Sequence, residues 1–163
     1  MTSGKASGEF CIRILKMTRD EVIAQADQSF GNLSRPRIFI RGTCSCDECT
    51  EHEKTMQSFA LPDLPLDKLG SPSWDPICFA SDEAFAYLMP GLIRLVLNHT
   101  KDYVSQFLFH IESVDRIAAL SRRQRRTLLN ALDYLFMNEA ETLDNNMLVD
   151  GLVRVREKLE QTA

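Results

Sequence analysis

Four soft potential ligands, Cys44, Cys46, Cys49 and His52, fall within nine residues of one another. Zinc takes four such donors in a tetrahedron, and structural zinc sites usually draw them as two pairs from separated segments, because one short stretch has difficulty wrapping the ion. Cys49, His52, Met56 and Phe59 follow at spacings of three, four and three, which predicts a helix over 46–59. On that helix Cys46 and His52 point about 120° apart, so the four donors cannot all converge. Three readings compete: the first turn of a helix with small buried cysteines and a hydrogen-bonded histidine, a metal site, or a redox pair at Cys46 and Cys49. The first is preferred. Asp47, Glu48 and Glu51 would raise a thiolate pKa rather than lower it, and a chain of this length builds a core without a metal staple. No bound metal and no cofactor are expected.

Other chemistry is sparser. The three histidines, His52, His99 and His110, accompany no G-x-S-x-G elbow and no phosphate-cradling glycine loop, and the seven glycines are scattered. Glu51, Glu53 and the Asp47-Glu48 doublet read as a solvated helix face. No set of nucleophile, base and orienting group is filled, so the chain is not expected to be an enzyme. Arg122, Arg123, Arg125 and Arg126 crowd the first turns of a helix, where the dipole disfavours cations. With no interleaved aromatic residues and a sequence pI near 5.4, they do not make a nucleic-acid binder and are expected to pair with acidic loops.

The elements that must position these residues are mainly helical. Thr18 to Glu21 has the form of a capping box and opens a helix over 19–30, closed by Gly31-Asn32. Ser81 followed by Asp82 and Glu83 opens another over 82–97, where Pro90 should kink or divide it. Apolar periodicity and caps predict further helices over 101–112, 122–138 and 145–161. Phe10 to Lys16 and Ile38-Phe39-Ile40 are candidate short strands. Residues 61–76 hold four of the six prolines and read as an ordered loop, anchored by Trp74 with Pro76, Ile77 and Phe79. The fold expected is a mainly α, single-domain helical bundle with five or six helices and room for a small N-terminal β element. Residues 1–8 are expected to be disordered and 9–163 to form one globular domain.

The 163 residues are 44% hydrophobic and 26% charged, a globular composition that excludes collagen, long disorder and a coiled-coil rod. The stretch from Phe85 to Leu97 is broken by Pro90, Gly91 and Arg94, too short to span a bilayer. Five cysteines, three of them crowded together, suit a reducing compartment, and no secretory signal pattern opens the chain, so a cytoplasmic location is expected. Between Cys44 and Glu83 nine acidic residues face only Lys54 and Lys68, a local charge of −7 against +3 for the remainder. Such asymmetry bears on partners rather than on fold.

The segments Cys46-Asp-Glu-Cys-Thr-Glu-His52, Leu66 to Gly70, Ser73-Trp-Asp-Pro-Ile-Cys-Phe79 and Phe85-Ala-Tyr-Leu-Met-Pro90 resemble a family of small bacterial proteins with C-x-x-C-x-E-H and W-D-P-I-C-F motifs. The resemblance covers about residues 34–136 and looks like that of immunity proteins, which neutralise antibacterial toxins injected by neighbouring cells through type VI secretion. It implies no cofactor and no catalytic residues. The expectation is an immunity protein that binds a cognate toxin, with a nuclease effector a fitting target because a basic cleft complements the acidic segment. Asp47, Glu48, Glu51 and Glu53 are the first partner-binding candidates, with Asp63 and Asp67 next. The toxin is the expected partner, self-association into a homodimer is left open, and neither nucleic acid nor membrane is expected. The runner-up is a small zinc- or thiol-containing regulatory module.

Overall fold

A computed structural model of the chain describes residues 17–69, 71–139, 141–143 and 146–161. These hold eight α-helices: α1 (Arg19–Phe30), α2 (Asp47–Gln57), α3 (Leu66–Leu69), α4 (Asp82–Asn98), α5 (Thr100–Ile111), α6 (Val114–Ala119), α7 (Arg122–Asn138) and α8 (Asn146–Gln161), with 3-10 turns at Pro72–Trp74 and Pro76–Phe79. The mainly α architecture is as expected, with more helices than the sequence pattern suggests. The candidate strand at Phe10 to Lys16 and the N-terminal segment 1–8 lie outside the described residues.

Local chemistry sets the boundaries. At Thr18 the hydroxyl accepts from the Glu21 N–H while the Glu21 carboxylate takes the Thr18 N–H at 2.7 Å, and Ser121 with Gln124 repeats the arrangement for α7. Ser81 caps α4 by accepting from the Ala84 N–H. Eleven of the seventeen α4 residues are buried, which makes it the central helix. It packs against α1 and α5, α7 lies between α1 and α8, and α8 returns onto α5. One apolar cluster runs from Val22 of α1 to Leu159 of α8. A bidentate pair from Arg94 of α4 to Asp27 of α1, at 2.8 and 2.5 Å, closes one edge.

Three expectations need correction. Helix α4 runs unbroken through Pro90, so the proline does not divide it. An interior proline costs about 3 kcal/mol, and the burial of eleven of the seventeen residues of this helix offsets it. Ile38 to Ile40 form no strand, only an isolated bridge of Ile40 with Ala80. The reason is local: the N–H groups of Phe39 and Ile40 both donate to the Glu53 carboxylate, at 2.9 and 2.8 Å, instead of to a neighbouring strand. The proline-rich stretch is more regular than a loop, since α3 and both 3-10 turns lie in or across it. Gly91 admits it to the bundle, because a Cβ there would sit 2.6 Å from Leu64 Cγ and 2.9 Å from Leu61 Cδ2.

Candidate functional site

Helix α2 and the 66–80 segment pack on one another through the second 3-10 turn, and the unusual chemistry gathers there. The chain enters α2 through Gly42, whose φ of 75° is the left-handed region that glycine occupies at least cost. Cys44 follows that turn, Cys46 is the N-cap residue and Cys49 sits in the first helical turn. The Cys49 N–H donates to Cys46 Sγ at 3.5 Å, and Cys44 Sγ lies 3.2 Å from Cys46 Sγ. All three sulfurs fall within 4.8 Å of one another. Cys44 and Cys46 are exposed, and Cys49 is buried. Donation from the Cys49 thiol, helped by the Cys46 N–H and thiol, holds Cys44 below its ordinary pKa, and the same bond pushes Cys49 up to about 12.

His52 stands apart from the trio, as the helical divergence requires. Its ring is 1% exposed, stacked on Phe79 at 4.1 Å and tilted against Trp74 at 4.7 Å. The expected hydrogen-bonded histidine is not found: both ring nitrogens are buried without a partner, and the nearest carboxylate, Glu48, is 3.7 Å from Nε2. Trp74 also departs from its expected role as a buried anchor. It is 46% exposed, while Pro76 and Ile77 are buried in its place. Trp74, His52, Thr55, Asp67 and Lys68 line a cleft of about 260 Å³ between α2 and the proline-rich segment.

The acidic candidates divide around this cleft. Asp47, Glu48 and Glu51 are exposed on α2, and Asp63 and Asp67 are exposed beyond it. Glu53 is half-buried and turned inward, its carboxylate accepting from Phe39, Ile40 and the Gln57 amide. The arginine cluster forms no ion pair with a described carboxylate; Arg123 reaches Gln28, and Arg125 donates to the Leu120 carbonyl at 2.5 Å.

Sequence reasoning missed a buried polar hub behind the cleft. Asp75 caps the second 3-10 turn by accepting from the Ile77 N–H, accepts from Gln106 Nε2 at 2.7 Å, and lies 2.7 Å from His110 Nε2. Both ionisable side chains are 1% exposed. Arg116 clamps the same turn from α6 by donating to the carbonyls of Ile77 and Ala80 while lying over the Phe85 ring at 4.5 Å. Outside the hub, a cleft of about 390 Å³ is lined by Arg41, Cys78, His110 and Arg116. Burial, and then Asp75, push the Cys78 thiol up, which keeps it protonated and a weak nucleophile. The one local signal for the hub was Asp75 directly before Pro76, the pattern of a capped turn.

No protein-family model matches the sequence, and no curated protein or solved structure matches it. Among the described residues no helix is long and apolar enough to cross a membrane.

Proposed function

We propose that this chain is a binding protein rather than an enzyme, and that it acts in the bacterial cytoplasm as an immunity protein neutralising a cognate antibacterial toxin, with a nuclease effector the target best suited to its charge. The observation that carries the reading is the cleft between α2 and the proline-rich segment. An indole 46% exposed at its wall stands in the same lining as Asp67 and Lys68, and the exposed carboxylates of Glu48 and Glu51 lie on α2, the helix that carries His52 into the cleft. Interfaces concentrate their binding energy in such aromatic anchors, and the charged rim sets the on-rate and the choice of partner. The net charge of −7 over the segment from Cys44 to Glu83 suits a cationic protein patch. The C-x-x-C-x-E-H and W-D-P-I-C-F motifs, which bear the resemblance to immunity proteins, supply the two walls of this cleft through His52 and Trp74.

The test is co-expression with the toxin encoded beside the chain's own gene. Survival of cells that die without the chain, together with a stable complex of the two purified proteins, is the expected result. Absence of any toxin gene in that neighbourhood, or no protection, would sink the reading.

A further inference from the structure

We propose that Cys44, Cys46 and Cys49 form a trithiolate site for one zinc ion, with its fourth coordination position facing solvent. Sequence reasoning weighed these cysteines together with His52 on one helix, where the four diverge. Cys44, however, is not on the helix; the turn at Gly42 carries it back over the N-terminus, so three sulfurs converge without the histidine. Zinc–thiolate bonds near 2.3 Å in a tetrahedron place sulfurs roughly 3.8 Å apart. The observed separations, 3.2 Å between Cys44 and Cys46 and at most 4.8 Å among the three, bracket that distance. Three sulfur donors select a soft or borderline d10 ion over magnesium or calcium.

The local chemistry favours anionic sulfur. The Cys49 N–H already donates to Cys46 Sγ, and the first turn of α2 aims its dipole at the cluster. A dication binds the sulfurs as thiolates and displaces the thiol protons to solvent, which makes binding stronger as pH rises. His52 is barred from the fourth position by its place between Phe79 and Trp74. Because Cys44 and Cys46 are exposed, water or a donor from a bound partner takes that position. The site is independent of the toxin reading.

Cobalt(II) titration of the full chain, purified reduced and metal-free, tests the site. One equivalent should produce the sulfur-to-cobalt charge-transfer absorption of a trithiolate, and one equivalent of zinc should discharge it. Affinity should climb between pH 6 and pH 8, the chelation range about the ordinary thiol pKa of ~8.5. Cys44→Ser and Cys46→Ser remove exposed side chains, so circular dichroism should stay unchanged while affinity falls by more than ~100-fold, beyond what loss of a group outside the ligand shell produces. His52→Ala and Cys78→Ser should keep the one-to-one stoichiometry. The site is overturned if no charge-transfer band forms, if Cys44→Ser binds as well as wild type, or if a folded His52→Ala variant loses the metal.

Discussion

In α4, Phe85, Leu88, Leu92 and Leu95 disappear into the core, whereas α2 buries only Cys49, His52 and Met56 and leaves Asp47, Glu48 and Glu51 in solvent. The bundle of α1, α4, α5, α7 and α8 spends its residues on packing, and its polar side chains at the seams, such as Arg94 with Asp27 and Ser29 with Thr127, meet partners across helices. The 41–80 region has a buried imidazole with both nitrogens unpartnered, three converging thiols and a half-exposed tryptophan. Unpartnered buried atoms also occur in the bundle, at Tyr103, His110 and Arg125, and Phe109 and Phe136 are exposed there, so what sets the 41–80 region apart is the meeting of thiols, imidazole and indole on one face.

The joint between the two regions carries the largest expected effect. Asp75→Ala leaves His110 and Gln106 buried without their shared acceptor, and breaking such a pair costs about 3–5 kcal/mol. Denaturant unfolding should register that loss. A change under ~1 kcal/mol would mean that the proline-rich segment is held by its apolar contacts alone.

Trp74→Ala sharpens the contrast at intermediate size. Truncating a fully buried tryptophan costs about 3–5 kcal/mol, and with 46% of this one exposed the loss should be about 2 kcal/mol or less. A melting temperature lowered as far as by Leu92→Ala would return Trp74 to the core and remove it from the interface.

The smallest effect belongs to the bundle's edge. The Thr18 N–H, and then its hydroxyl, hold the Glu21 carboxyl below its ordinary pKa. A lowered folded-state pKa adds stability above the ordinary value and loses it as pH falls through the folded one. The melting-temperature gap between wild type and Glu21→Ala should therefore be present at pH 7 and close on acidification below the ordinary carboxylate range. A gap independent of pH would show that the capping carboxylate acts without its charge.

What the sequence could and could not disclose follows from distance along the chain. Thr18 with Glu21, Ser81 with Ala84 and Ser121 with Gln124 are partners three residues apart, so caps and periodicity made six helices legible. Helix α6, at six residues, is too short to display a period. The Asp75 hub joins residues 31 and 35 positions apart, and the Asp75-Pro76 pattern marks only the turn and not its partners Gln106 and His110. The fate of Ile38 to Ile40 turned on Glu53, thirteen positions away, supplying acceptors that a strand would otherwise have needed. The same contact explains why Glu53, indistinguishable in type from its acidic neighbours, is turned inward while Glu48 and Glu51 stay exposed. At the cysteines the missing information was one backbone angle, the positive φ of Gly42 that folds Cys44 back over the helix.

In the proposed reading the α2 face, and not the bundle, does the binding. The most direct test of that claim is the association rate of the Glu48→Lys/Glu51→Lys variant with the toxin encoded beside the chain's gene, measured across a salt series. Both side chains are exposed, so the melting temperature should stay within about 1 kcal/mol equivalent of wild type while association slows by ~10-fold or more at low salt and loses most of its salt dependence. An unaltered association rate and an unaltered salt slope in the folded variant would contradict the claim and leave the acidic segment as a solubilising surface.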